Sequence, residues 1–357
     1  MVVAFLSPAL YCQATTYTLS PITSPYGSAL AFGLNDQGQV VGGAIFSDGT
    51  RRAFLWQSGT GIINLGVLAG DTTSEAVSIN NAGQVVGVSY PAAGQPLRGF
   101  LWQANTGMID VGAGAGLFTQ ATGINQQGVV IGYASSVPDF SSGNFVFTYT
   151  ARSGIQPITV PGMSVTDVEA INNSGQMVVG TLNSKNLLLI TPGTAPVEIQ
   201  GSGNLVGAGA MAMNDSGTVV GYIEPSNGDS AHGFVWNQNT GFVDLGYGVA
   251  TGINNLGQVV GVEDLSDGSF IGYLYEDGTV YNLATLLDAS AAGWTNIDPR
   301  AINNNGQIAG FGTFDGQTEA FLLTPNGASG ATSVTVPEPA TLSILTLAVI
   351  PLLRRRR

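Results

Sequence analysis

The sequence predicts an all-β fold, a seven-bladed β-propeller of four-stranded blades closed by an N-terminal strand. Three observations lead there. A short phrase of the type INNAGQVVG recurs seven times at intervals near 45 residues. The composition suits short strands and tight turns. The last repeat lacks a strand, and a strand-like segment stands unclaimed at the other end of the chain. Of 357 residues, 44% are apolar, only 9% are charged and 51 are glycine. That is enough apolar side chain for a sizeable core, with glycine to punctuate it.

The first Asn of each copy is Asn35, Asn80, Asn125, Asn172, Asn214, Asn254 and Asn303, giving intervals of 45, 45, 47, 42, 40 and 49 residues. In Asn-x-x-Gly, Asn hydrogen-bonds locally at the turn entry and Gly accepts positive φ at its exit. The phrase therefore reads as a β-hairpin. The later glycine (Gly42, Gly87, Gly132, Gly180, Gly221, Gly261, Gly310) falls where backbones approach closely or a strand bends. Every blade needs the turn and few ligands need seven copies, so the repeated phrase is read as shape.

Each hairpin is followed by two further strand phrases. Unit two continues with RGFLWQ and GMIDVG, unit one with RAFLWQ and GIINLG, unit five with HGFVWN and GFVDLG. All are short, apolar or alternating, and bounded by Gly, Asn, Asp and Ser. Trp56, Trp102 and Trp236 share one position in the third strand and are expected to pack between blades. Unit three replaces this phrase by NFVFTYT and unit four by NLLLITPGTAPVEI, so blades three and four are the least regular. Unit seven ends at EAFLLTP. The segment at residues 16–22, TYTLSPI, supplies its fourth strand if the ring closes, which removes a free edge.

The ends read as addresses. Residues 1–14 have an apolar run and small residues, Cys12 and Ala14, at −3 and −1 of a cleavage site, without a basic n-region, as in a truncated signal peptide. Cleavage after Ala14 leaves no cysteine. Residues 15–326 form the repeat ring and 327–336 a linker. Residues 337–357 join Pro337, Glu338 and Pro339 to an apolar stretch, 340–353, and to Arg354, Arg355, Arg356 and Arg357. The stretch is shorter than the ~20 residues of a full span, but flanking arginines snorkel and mark a cytoplasmic end. A sorting helix that anchors transiently in the inner membrane is expected.

This tail resembles the PEP-CTERM sorting signal, also called an ice-binding protein C-terminal domain. The resemblance implies an exosortase-type partner, removal of the tail, and display at the cell surface or in the extracellular matrix. No regular Thr-x-Thr ladder suited to ice is present. The phrases Ala53–Gly66, Gly99–Gly112 and Gly233–Gly246, each behind its hairpin, resemble HAF repeats of bacterial extracellular proteins over roughly residues 25–325. That resemblance implies a secreted propeller and brings no catalytic residues.

The chemistry of individual residues points the same way. A net charge of −13, with four of ten basic residues in the terminal cluster, argues against nucleic acid. His232 is the single histidine, which excludes the usual His-dependent triads and His-rich metal sites; at a strand start it is expected to be solvated. Asp48-Gly49, Asp267-Gly268, Asp277-Gly278 and Asp315-Gly316 read as hairpin turns. Glu263, Asp264 and Asp267, with Glu276 and Asp277, form the one candidate Ca²⁺ set, without an EF-hand or a repeated Asp spacing; otherwise no cofactor is expected.

Binding is expected on the variable connections, not on the repeated strands. The residues singled out are Asp48, Tyr90, Phe140, Asp229, Asp264, Asp267 and Trp294, the last placed in a long connection outside the Trp register. Acids accept hydrogen bonds from sugar hydroxyls and aromatic rings stack on apolar sugar faces. The expected function is a non-enzymatic surface protein that binds extracellular polysaccharide or another envelope component. The alternatives are a secreted glycoside hydrolase or lyase on the same scaffold, and a purely structural surface protein.

Overall fold

The structure is a computed structural model that describes residues 15–92, 97–137, 144–182, 187–199, 205–226, 230–265 and 270–327. The signal-like segment 1–14 and the sorting segment 337–357 lie outside the described residues. Among those described, no helix is long and apolar enough to cross a membrane.

Seven antiparallel four-stranded sheets follow one another along the chain. Six of them take their strands in sequence order. The seventh combines three late strands, Trp294–Ile302, Ile308–Phe314 and Gln317–Pro325, with the first strand, Tyr17–Ile22. Tyr17 pairs with Pro325 and Ile22 with Ala320. The expected closure is present, and it is reinforced. The Asn326 N–H donates to the Thr16 carbonyl at 2.7 Å. The Asp288 carboxylate accepts from the Thr18 hydroxyl at 2.5 Å and from Asn326 Nδ2 at 3.0 Å. Ser290 Oγ accepts from Leu19 N at 2.7 Å. The connector that carries Asp288 and Ser290 thus covers the outer edge of the closing strand from Tyr17 to Leu19.

Blades three and four are complete despite their divergent phrases. In blade three, Phe147 of NFVFTYT is buried in the place that Phe100 takes in blade two. In blade four, Leu187 and Leu189 fill the seam toward blade five with aliphatic volume, and Leu188 fills the seam toward blade three. The core consists of seams between neighbouring blades. Trp236 is buried within one, while Trp56 and Trp102 pack half-buried against two others, as blade packing predicted.

Each innermost strand carries a β-bulge at the same place, three residues before the repeated Asn, and four of the seven have a second register shift nearer the strand start. The extra residues are Phe32, Val77, Thr122, Glu169, Met211, Thr251 and Arg300. Facing them, the later glycine of the repeat explains itself. A Cβ on Gly42 would lie 1.8 Å from the Leu30 carbonyl oxygen, and one on Gly87 2.0 Å from that of Glu75. Six of the seven repeats are this tight against backbone. Gly180, the exception, would meet only the Asp167 carboxylate, at 3.0 Å.

Register defines two ends of every blade. The Asn-x-x-Gly turns and the turns between third and fourth strands share one end, the turn face, since Val40 pairs with both Leu34 and Trp56 and Trp56 pairs with Ile62. The other connections share the opposite end, the loop face. Tyr17 and Pro325 lie at the turn face.

Candidate functional site

The most regular polar feature is the ring of seven asparagines, all buried. Each Asn Oδ1 accepts the backbone N–H groups two and four residues on, as in Asn80 with Ala82 and Gln84 at 3.1 and 3.0 Å. Each Nδ2 donates to the carbonyl of the equivalent Asn in the next blade. The chain of donors runs Asn35, Asn80, Asn125, Asn172, Asn214, Asn254, Asn303 and back to Asn35, at 2.9–3.2 Å. The repeat is therefore shape in a second sense: it closes a hairpin and ties that blade to its neighbour.

The following residue builds a second ring. Asp36, Asn81, Gln126, Asn173, Asp215, Asn255 and Asn304 each accept, through a side-chain oxygen, the backbone N–H of the preceding member at 2.8–3.0 Å. These rings border an axial cavity of about 300 Å3, whose lining includes the bulged Phe32, Val77, Met211, Thr251 and Arg300. The two rim carboxylates are already served: Asp36 Oδ2 by Asn81 and Asn304, Asp215 Oδ2 by Asn173 and Asn255.

Glu169 is the bulged residue of blade four and accepts from the Ala210 N–H of blade five. Burial pushes its carboxyl from the ordinary 4.5 up to about 7, with Asp167 adding to the rise and the Ala210 bond opposing it. The fold thus favours the protonated acid. Its contribution to stability is whole below about pH 4.5 and is lost as the pH rises through 7. At 1.36 kcal/mol per unit the whole rise amounts to about 3 kcal/mol or a little more, of which about 2–3 kcal/mol falls between pH 5 and pH 8. Urea midpoints at pH 5 and pH 8 check it. The native chain should lose that much more stability than Glu169→Gln over the interval, and equal losses would refute the assignment.

The sequence-selected residues divide. Asp48, Tyr90, Asp264 and Trp294 all stand at the loop face, but Asp48 and Tyr90 belong to blades one and two and do not join the others. The Asp48 carboxylate is engaged by the hydroxyl and N–H of Thr50 and by Arg52 at 2.7 Å, which hold it down at about 2. Tyr90 is half-buried, and burial raises its phenol. Phe140, Asp229 and Asp267 lie outside the described residues.

Three expectations need correction. Trp294 is not in a connection: it opens the innermost strand of blade seven, paired with Phe314. The proposed Ca²⁺ residues do not converge, because Asp264 pairs with Phe270 at the loop end while Glu276 and Asp277 terminate the same strand, Phe270–Glu276, at the turn end. Seven strand residues separate the two groups by about 20 Å. His232 is only partly solvated: its Nδ1 lies 3.0 Å from Asp244, its ring stands edge-on to Tyr247, and Nε2 is buried. The Asp-Gly pairs at 277–278 and 315–316 are two-residue turns with positive φ at both residues, as expected. Asp267-Gly268 lies outside the described residues.

One concavity contains a selected residue, Trp294, without any of the other described ones. A cleft of about 400 Å3 opens between blades six and seven, lined by Phe270, Ile271, Gly272, Trp294, Asn296 and the connector from Asn282 to Ala292. Trp294 is held by stacking on Phe314 at 5.4 Å and by an edge contact with Phe321 at 5.9 Å. Asp264 does not line the cleft; only its strand partner Phe270 does. Asn282 and Asn296 escaped sequence reasoning. Their only signal was that ATLLDASAAGW breaks the repeat pattern; the connector folds into two 3₁₀ turns, Leu283–Leu286 and Ala289–Ala291.

The chain matches no protein-family model, and no curated protein is similar to it. Solved propellers are similar in structure. Virginiamycin B lyase from Staphylococcus aureus superposes with a TM-score of 0.50 at 10% identity, over 86% of this chain and 99% of that one. A catalytically inactive variant of that enzyme with quinupristin gives 0.52 at 9% identity over 86% and 99%. YCF48 from Cyanidioschyzon merolae gives 0.48 at 11% over 86% and 98%. The likeness to the two lyase structures supports a propeller scaffold and nothing finer; the seven blades are those of this chain's own sheets.

Proposed function

We propose that this chain is an exported, non-enzymatic surface propeller that holds extracellular polysaccharide at its loop face, delivered there by an exosortase-type system acting on the tail at 337–357. The observation that carries the reading is the cleft beside Trp294, which combines an aromatic ring braced from behind with amide side chains on a rigid frame. Its Phe270 and Trp294 stand at the loop face, while Asp288, at its other end, bonds Thr18 and Asn326, where the chain enters and leaves the ring. Binding is favoured over hydrolysis or elimination because the one ionisable side chain lining the cleft, Asp288, is tied up in closing the ring.

Retention of the full chain on exopolysaccharide gels tests the reading. Trp294→Ala should reduce retention at least tenfold, the loss of one stacking contact worth about 1.4 kcal/mol or more. The melting temperature should move little beside that of Phe321→Ala, a core control. Undiminished retention in Trp294→Ala would remove the cleft from the account. Processing is checked by mass spectrometry of surface-released protein, where an intact Arg357 end would exclude removal of the tail.

A further inference from the structure

Resting on that reading, we infer that the blade six–seven cleft selects neutral, hydroxyl-bearing hexose units and excludes glycans carrying carboxylate, sulfate or phosphate. The argument is one of charge and of free hydrogen-bonding groups. Among its lining residues Asp288 alone is ionisable. Its carboxylate accepts from Thr18, from Asn326 and from both the N–H and the hydroxyl of Ser290, and these bonds hold its pKa far below the usual carboxylate range. It is a fixed negative charge with its acceptor sites occupied.

Among the described residues that line the cleft there is no cation to receive an anionic sugar. Arg300, on the strand that Trp294 opens, is bound to Asp298 at 2.5 Å and lies over the Phe311 ring at 5.0 Å. Arg51, Arg52 and Arg98 are paired with Glu75, Asp48 and Asp71 at 2.6–2.7 Å on blades one and two. Recognition of a uronate or sulfate normally uses a guanidinium or ammonium in charge-assisted contact, and without one the anion is desolvated beside Asp288. Neutral groups are available instead. Asn282 spends its Oδ1 on the Ala284 N–H, leaving Nδ2 as a donor. Asn296, at φ 50°, spends Nδ2 on Thr313 and leaves Oδ1 as an acceptor. With the Thr295 hydroxyl and the Trp294 ring, the cleft offers a donor, an acceptor and a stacking surface, which suits a pyranose and its hydroxyls.

The experiment is affinity electrophoresis of the full chain in gels cast with a neutral glucan, a neutral galactomannan or alginate as polyuronate, each at low and at high salt. Retardation is expected in at least one neutral gel, unchanged by salt, with none in alginate. Trp294→Ala and Asn282→Ala should each weaken neutral retardation at least fivefold. Retardation in alginate that salt abolishes would overturn this inference and leave the polysaccharide reading standing. Absence of retardation in every gel would overturn both. Neutral retardation unaffected by either substitution would overturn the assignment to this cleft.

Discussion

Asn303→Ala is expected to destabilise the ring by about 3–4 kcal/mol, out of proportion to the loss of one small amide. Asn303 makes four hydrogen bonds: it accepts from Asn305 N and Gln307 N at 3.0 and 2.9 Å, and donates to Gln307 Oε1 and to the Asn35 carbonyl at 2.8 and 2.9 Å. Each is worth about 1 kcal/mol net, and truncation also leaves two turn N–H groups and a buried carbonyl without partners. The Asn303–Asn35 bond joins the last blade to the first, so its loss weakens the seam that the N-terminal strand also closes. Asn304→Ala is the control. Asn304 belongs to the outer ring, where water replaces lost partners, and about 1–2 kcal/mol is expected. Urea denaturation measures both, and equal small effects would show that the inner ring ties nothing together.

Gly87→Ala is expected to cost more than about 3 kcal/mol, although it adds a single methyl group. That methyl would sit 2.0 Å from the Glu75 carbonyl oxygen and 2.9 Å from the ring of the fully buried Phe100. Neither can retreat. The carbonyl belongs to the bulged innermost strand, and Phe100 is clamped in the seam between blades one and two. Relief requires separating two paired strands, which breaks ladder bonds as well as packing. Gly180→Ala makes the same chemical change in blade four. Its new methyl meets the end of the Asp167 side chain at 3.0 Å, which swings aside, so a cost below about 1 kcal/mol is expected. A loss in Gly87→Ala no greater than in Gly180→Ala, read from thermal and urea midpoints, would contradict the close-approach explanation of the repeat.

Much of this architecture was legible because repetition isolates it. Seven copies of Asn-x-x-Gly set the number of blades, and the missing fourth strand of the last unit pointed to residues 16–22. The inter-blade role of Asn was not legible, because a hydrogen bond from Asn35 to the carbonyl of Asn80 spans 45 residues and leaves no local pattern. Nor were the bulges, since the extra residue varies from Phe32 to Glu169 to Arg300 and carries no common side chain. The candidate site was legible only in part. Trp294 stood out because it breaks the Trp register, but its partners Asn282 and Asn296 look like ordinary turn residues until the connector folds back along the closing strand. The Ca²⁺ set failed for a plain reason. Sequence neighbours at the two ends of a seven-residue strand belong to opposite faces of the ring.

The central claim is that the repeats supply shape and the seam between blades six and seven supplies recognition. Hydrogen–deuterium exchange of the full chain, with and without a saturating neutral glucan, tests it most directly. Added protection is predicted at residues 270–272 and 282–297, with the seven Asn-x-x-Gly turns unchanged. Protection at those turns and the axial mouth, with the cleft unaffected, would contradict it.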